Sequence, residues 1–128
     1  MKQLILTIEV KCLEGISVKG QDTLVTLLPF TGRAFGEHFS GQVLGNGVDT
    51  QKTDLKSGKC RLSARYMLEG TDSAGSSCRI FIENSIQDED GWHPVLVTDS
   101  PVLAEWERIP LTASVEPADG GVTVRIYR

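Results

Sequence analysis

The sequence predicts an all-β protein, a single antiparallel β-barrel of about eight or nine strands with one short helix near residues 100–107. Apolar and polar residues alternate in most segments, as they do in strands with one buried face. Glycine, proline, asparagine or aspartate separates these segments, as expected for tight turns. A sheet of that many strands usually closes or folds over to protect its edges. Because there is neither an internal repeat nor a linker, we expect residues 1–128 to form one domain.

The first half of the chain begins with the clearest alternation. A strand is predicted over residues 3–11, and its apolar residues on one face are Leu4, Leu6, Ile8 and Val10. Another strand is expected over 23–28, followed by a turn and a long run over 33–44 whose inner face carries Phe35, Phe39 and Val43. The glycines at 45 and 47 predict a hairpin turn or a bulge after that run.

The second half of the chain predicts two hairpins and the helix. Residues 60–69 and 77–84 alternate on both sides of a glycine-containing loop and form the central hairpin. Ser100 is the predicted N-cap of the helix, with Pro101 at its first position. The closing hairpin joins residues 109–115 to residues 122–127.

Composition limits the classes of partner. Thirteen basic and seventeen acidic residues give a formal net charge of -4, with no basic patch apparent, so we expect binding neither to nucleic acid nor to an anionic membrane surface. No apolar stretch is long enough for a membrane-spanning helix. The acidic segment 88–91 lacks the spaced carboxylates of a calcium loop and is interpreted as a solvated loop.

The three cysteines and the N-terminal segment predict a cytoplasmic protein. An odd number of widely spaced cysteines is typical of reduced thiols. The first ten residues include Thr7 and Glu9 and resemble a strand more than a signal peptide.

Motifs for metals and cofactors are missing from the sequence. His38 and His93 are far apart and have no companion ligand at a suitable spacing, so no metal site is expected. Neither a glycine-rich phosphate loop nor a nucleophile elbow is present, and we expect no cofactor.

Six short blocks along the chain carry a resemblance to a known family. They are GRAFG at 32–36, FSGQVL at 39–44, GVDTQ at 47–51, LSARY at 62–66, GTD at 70–72 and IFIEN at 80–84. In this order the blocks resemble domain-of-unknown-function family 3237. The resemblance implies an antiparallel β-barrel similar in outline to lipocalins and allene oxide cyclases, and association as a homo-oligomer. It implies no established reaction.

Polar residues on three successive strands form the candidate site. They are Asp49 and Gln51, then Arg65 and Tyr66, then Glu83 and Asn84. By alternation Tyr66 and Asn84 point into the barrel, where a phenol and an amide can hydrogen-bond a ligand oxygen. Arg65 and Glu83 have the opposite parity and predict an ion pair on the outer wall. Because Arg65 belongs to one of the family blocks, the alternative that it holds a carboxylate or carbonyl group stays open.

Two carboxylates each have two interpretations. Asp49 follows Gly47 closely, so it is either a residue that caps a turn or an inward base whose pKa is raised by burial. Glu37 shares its parity with Phe35 and Phe39, which makes it either an inward carboxylate or a residue at the rim.

The favoured hypothesis is a barrel that binds a small organic molecule, such as a carbonyl-bearing metabolite, and performs acid–base isomerisation, cyclisation or elimination without a cofactor. Asp49 is then the base, while Arg65, Tyr66 and Asn84 stabilise developing negative charge. Ligand contacts are expected from Glu37, Gln51, Glu83 and Asn84. The alternative is a module without turnover that binds a small ligand or supports oligomerisation.

Overall fold

The computed structural model describes residues 2–86 and 91–128, so residues 88–90 of the acidic segment lie outside the described residues. The described residues form ten strands and one four-residue 3-10 helix. The strands are β1 (Leu4–Cys12), β2 (Ile16–Lys19), β3 (Thr23–Phe35), β4 (Phe39–Val43), β5 (Gly47–Asp54), β6 (Cys60–Asp72), β7 (Ser77–Ile86), β8 (Val95–Thr98), β9 (Thr112–Ala118) and β10 (Gly121–Tyr127), and the 3-10 helix is Ala104–Glu107. No helix in the described part is long and apolar enough to cross a membrane.

All pairings of these strands are antiparallel, and the predicted all-β barrel is confirmed. Its ten strands occupy eight positions around the barrel, because two positions are each shared by two consecutive strands. β1 and β2 lie one after the other along the same edge of β3, and β4 and β5 lie one after the other between β3 and β6. The break between β4 and β5 falls at Gly45, whose φ of 64° favours glycine.

The barrel closes between β8 and β9 through a narrow contact. An isolated bridge joins Trp92, in the segment before β8, to Ala113 of β9, and in it the Ala113 amide donates a hydrogen bond of 3.1 Å to the Trp92 carbonyl. The other neighbouring positions are joined by ladders of several residue pairs, the longest of which pairs β6 with β7.

A packed apolar core fills the part of the barrel around the N-terminal half of β1. Its fully buried side chains include Leu6, Ile8, Leu68, Ile80 and Ile126. The segment around the 3-10 helix adds Leu103 and Trp106 to the same cluster. Large aliphatic side chains leave little space at this end, so an interior cavity has to lie toward the other end.

Three local predictions differ from the structure. The turn predicted between residues 28 and 33 is wrong, because β3 continues through these residues as one strand from Thr23 to Phe35. The run 33–44 is interrupted at residues 36–38, where the chain reverses from β3 into β4, so Phe35 is exposed while Phe39 is buried. The helix is confirmed as a short 3-10 turn, but its N-cap is Leu103. Ser100 instead donates its hydroxyl to Asp72 at 2.7 Å, and this hydroxyl accepts a hydrogen bond from the Leu103 amide at 3.4 Å.

Candidate functional site

A cavity of about 230 Å³ lies inside the barrel, beyond the packed core. Its wall is mainly aliphatic and aromatic, with a few polar side chains. The lining residues on β3 to β7 are Leu28, Phe30, Asp49, Gln51, Leu62, Ala64, Tyr66 and Asn84, and those on the opposite wall are Val10, Cys12, Trp92, Val115, Val122 and Val124. An apolar space with a small number of polar groups is the usual composition of a site for a small organic molecule.

The central level of the cavity wall places an acid and an amide on either side of a small residue. Strand pairing sets Asp49 of β5 opposite Ala64 of β6, and Ala64 opposite Asn84 of β7. All three side chains line the cavity. Because the alanine carries only a methyl group, the space between the carboxyl and amide groups stays open to the cavity.

The next level toward the core is aromatic. The rings of Phe30 and Tyr66 meet edge to face, with centroids 5.2 Å apart and an interplanar angle of 74°. Gly47 of β5 lies beside them, and a Cβ at this position would collide with the Phe30 ring and lie 2.8 Å from the Tyr66 Cβ. The sequence therefore needs glycine here for the two rings to pack at this level.

Asp49 is partly buried and is held by its neighbour on the same strand face. Gln51 Nε2 donates a hydrogen bond of 3.0 Å to Asp49 Oδ2. Burial raises the pKa of Asp49 above the usual range of an aspartate, and the hydrogen bond from Gln51 offsets part of this shift. A carboxylate with a raised pKa is a stronger base than one in water.

Two residues that line the cavity each carry a buried polar atom without a hydrogen-bond partner among the described protein atoms. These atoms are the Tyr66 hydroxyl and Asn84 Oδ1, on residues that are 5% and 3% exposed. Burial raises the pKa of Tyr66 far above its usual range, so the phenol is neutral and can donate its proton in a hydrogen bond. An unsatisfied buried polar group costs about 1–3 kcal/mol, which makes two of them on one cavity wall an exception that needs a reason.

The other three predicted site residues do not reach the cavity. Arg65 Nε lies 3.4 Å from Glu83 Oε2 on the outer wall, with side-chain exposures of 62% and 43%. Glu37 lies in the turn between β3 and β4, where its side chain is 78% exposed and approaches His38. The cavity therefore contains four of the seven predicted residues, namely Asp49, Gln51, Tyr66 and Asn84.

Residues outside the prediction complete the cavity wall. Trp92 lines the cavity and takes part in the bridge that closes the barrel. Ala64 lies at a position that alternation predicts to face inward, but nothing in its residue type marks it as part of a site. Phe30 falls in the turn that the sequence predicts between residues 28 and 33, so the sequence provides no signal for its place on the cavity wall. In residues 2–86 and 91–128 no group of three potential metal ligands occurs.

Comparison with known proteins matches this chain to an uncharacterised family. The family model described as "Protein of unknown function (DUF3237)" matches residues 2–88. The UPF0311 protein CA_C3321 of Clostridium acetobutylicum is 41% identical over 70 residues, which are 52% of this chain. The match covers 41% of that relative, so this chain corresponds to less than half of its length.

Solved structures share the fold at low sequence identity. A crystal structure of a protein with unknown function from Clostridium acetobutylicum has a TM-score of 0.82 at 22% identity, covering 99% of this chain and 95% of the other. A structure described as an enzyme from Penicillium herquei has a TM-score of 0.77 at 14% identity, covering 99% and 92%. A β-barrel-like protein from Acinetobacter baumannii has a TM-score of 0.76 at 18% identity, covering 99% and 95%.

Proposed function

We propose that this chain, which belongs to the DUF3237 family of proteins of unknown function, binds a small and mostly apolar organic molecule in the cavity of its barrel. The observation that carries the proposal is the pair of unpartnered polar atoms, the Tyr66 hydroxyl and Asn84 Oδ1, on an otherwise apolar wall. A ligand that offers an acceptor to Tyr66 and a donor to Asn84 satisfies both groups. It thereby removes the cost of leaving them without partners.

The size of the cavity limits the ligand. Its volume of about 230 Å³ is below the range of roughly 300–1,000 Å³ for sites that hold drug-sized molecules. It corresponds to about eight water molecules at their share of liquid volume. A metabolite with a single ring or a short branched chain, carrying a carbonyl oxygen, matches this space.

The same arrangement supports acid–base chemistry on a carbonyl compound. Asp49 and Tyr66 lie on neighbouring strands in diagonal positions. The Cα atoms of such a pair are about 7–8 Å apart. This separation accommodates a carbonyl oxygen near the phenol and the adjacent carbon near the carboxylate. Asp49 takes a proton from that carbon, the electron pair moves to the carbonyl oxygen, and the neutral Tyr66 hydroxyl stabilises the resulting charge by a hydrogen bond. In a ligand with a double bond between the β and γ carbons, return of the proton to the γ carbon shifts the double bond and gives isomerisation without a cofactor.

A second candidate function is binding without turnover. Among the described residues that line the cavity, Asp49 is the single carboxyl group, since Glu37 and Glu83 lie outside it. The lining is otherwise largely apolar, which favours retention of a ligand by burial of its surface. This alternative shares the cavity with the first proposal and differs in whether Asp49 transfers a proton.

Ligand binding is tested by a thermal-shift screen of small cyclic and branched ketones, hydroxy-ketones and phenols, because a specific ligand stabilises the folded state by mass action. Ala64→Leu places a larger side chain in the cavity and is expected to abolish the shift caused by any hit. Glu83→Gln, a change on the outer wall of the neighbouring strand, is the matched control and is expected to keep it. If Ala64→Leu keeps the shift, the ligand does not occupy this cavity and the proposal is wrong.

Proton transfer is tested with the ketone hits in D2O, where exchange of the hydrogens next to the carbonyl group is followed by NMR. We expect the wild-type protein to accelerate this exchange, Asp49→Asn to lower the rate by at least about a hundredfold, and Tyr66→Phe by about tenfold or more. Exchange that is equally fast with Asp49→Asn refutes the role of Asp49. Binding without any acceleration supports the module without turnover.

A further inference from the structure

The outer wall of the barrel carries an ordered group of polar side chains on β5, β6 and β7. Alternation along β6 places Arg61, Ser63 and Arg65 on the same outer face, since their neighbours Leu62 and Ala64 line the cavity. Strand pairing sets Thr50 of β5 and Ser85 of β7 on either side of Ser63. A row of three hydroxyl groups thus crosses three strands between two arginines.

A third cation lies beside this row. Lys52 of β5 is paired with Arg61 of β6, and both side chains are exposed. Neither takes part in any of the ion pairs formed among residues 2–86 and 91–128. With strands about 4.8 Å apart and a rise of about 3.4 Å per residue, the hydroxyl row is about 10 Å long and the cations start about 7 Å from it. Lysine and arginine side chains are long enough to reach an ion above the row.

Donors on this face remain available to a ligand. The hydroxyl oxygens of Ser63 and Ser85 are 3.0 Å apart, so one donates to the other and the proton of the second is free to point outward. Arg65 approaches Glu83 through its Nε, so the terminal N–H groups of its guanidinium remain available to a ligand. The groove between these residues has a volume of about 380 Å³.

Charge and geometry together point to one class of ligand. The three cations outnumber the one carboxylate, Glu83, by two, and a phosphate monoester carries a charge of about −1.5 to −2 at pH 7. Arginine forks and hydroxyl donors suit the oxygens of a phosphate group. We propose that this face, formed by Thr50, Lys52, Arg61, Ser63, Arg65 and Ser85, binds the phosphate group of a small phosphate monoester. The site lies outside the cavity and is independent of the function proposed for it.

A polymer of phosphodiesters fits this face less well. Each phosphodiester carries one negative charge, and its binding depends on cations that continue along the strand of nucleic acid. Here the three cations of the groove lie on two neighbouring strands, β5 and β6, of a chain with a formal net charge of -4. The sequence alone did not indicate the patch, because its residues come from separate segments and meet only through the pairing of β5 with β6.

The test is a titration of the whole chain with inorganic phosphate and with glycerol phosphate at constant ionic strength, followed by amide chemical shifts. We expect saturable shifts at Thr50, Ser63 and Ser85. Arg61→Gln is expected to weaken phosphate binding by about tenfold, the value of one lost charge-assisted hydrogen bond. Glu83→Gln is expected to strengthen binding, because it removes the one carboxylate of the groove.

Arg125→Gln is the matched control, because it also removes one exposed positive charge but lies on β10. We expect it to change phosphate affinity by less than about twofold, since exposed charges farther apart than about 10 Å are largely screened by salt. Equal weakening in Arg61→Gln and Arg125→Gln, or shifts that do not saturate, would overturn the proposal.

Binding to vesicles of phosphatidylcholine with phosphatidic acid that is lost in Arg61→Gln identifies a lipid headgroup as the source of the phosphate. Arg61-dependent binding of single-stranded DNA without any response to soluble phosphate refutes it.

Discussion

Asp49 of β5 and Asn84 of β7 lie at the same level of the barrel wall, on either side of Ala64 of β6. The carboxyl and the amide therefore face one cavity across a residue that is too small to separate them. The proposed chemistry depends on this relationship, because a ligand between the two side chains contacts a base and a polar anchor together. The partial burial of the Asp49 carboxyl group in this position can be tested by unfolding experiments, without knowledge of the ligand.

Asp49→Asn is expected to stabilise the protein at neutral pH. Burial raises the pKa of Asp49, so the folded state holds its proton up to a higher pH than the unfolded state does. Stability linked to this group is complete below the usual pKa of an aspartate and is lost as the pH rises through the raised value. Asparagine is neutral throughout and keeps an oxygen that can accept the hydrogen bond from Gln51.

The change is measured as the free energy of unfolding in urea at pH 7.5 and at pH 3.5. The gain at pH 7.5 is expected to stay below about 1 kcal/mol, because Asp49 is only about half buried and solvent screens its charge. At pH 3.5 the difference from wild type is expected to shrink toward zero. A variant that is less stable than wild type at pH 7.5 contradicts this account.

Tyr66→Phe is expected to leave stability unchanged or to raise it by up to about 1 kcal/mol. The substitution removes a buried hydroxyl that has no protein partner and keeps the ring that packs against Phe30. If a buried tyrosine hydroxyl has a hydrogen-bond partner, its replacement by phenylalanine lowers the free energy of unfolding by about 1 kcal/mol or more. Urea unfolding of the ligand-free protein distinguishes the two cases, and a loss of that size means that the hydroxyl has a partner.

Much of the fold could be predicted from the sequence because strands with one buried face carry a direct signal. Alternation over 60–69 and 77–84 predicts that Tyr66 and Asn84 point into the barrel, and both residues line the cavity. The same rule placed Arg65 and Glu83 outside, and their ion pair lies on the outer wall. The family block that contains Arg65 left an inward role open, and the structure places no part of Arg65 on the cavity wall.

The rest could not be predicted, because it depends on where strands break and on which strands meet. Glu37 was assigned by parity within a run that the structure interrupts at residues 36–38, so the parity did not apply to it. The bridge of Trp92 to Ala113 joins segments that are distant in sequence and follows no local pattern. Subunit association and cytoplasmic location stay predictions.

Ser100→Ala is expected to lower the melting temperature at pH 7 and to have a smaller effect in acid. The Ser100 hydroxyl, with the amides of Ser76 and Ala74, holds the pKa of Asp72 below its usual range. A lowered pKa stabilises the folded state above the usual aspartate value, and this contribution is lost as the pH falls through the lowered value. The part of the effect that remains in acid comes from the hydrogen bond between Leu103 and Ser100.

Ser76→Ala is the matched control for this measurement. Ser76 contributes its backbone amide to Asp72, so loss of its side chain leaves that hydrogen bond in place. We expect thermal unfolding of Ser76→Ala to follow the wild type at both pH values. If the two variants behave alike, the Ser100 hydroxyl does not stabilise the charged form of Asp72.

Gly47→Ala is expected to destabilise the protein by about 1–3 kcal/mol, because the added methyl group overlaps the Phe30 ring and crowds the Tyr66 Cβ. Gly47 does not have a positive φ, so the cost is steric. Phe30→Leu removes the ring edge and is expected to restore part of the loss, with a coupling energy of at least about 0.5 kcal/mol in a double-mutant cycle measured by urea unfolding.

Gly15→Ala is the control, since its nearest neighbour is the flexible Leu28 Cδ1 at 3.3 Å, and it should cost less than Gly47→Ala. Additive effects of Gly47→Ala and Phe30→Leu would mean that the glycine is not needed to pack the aromatic pair beside the cavity.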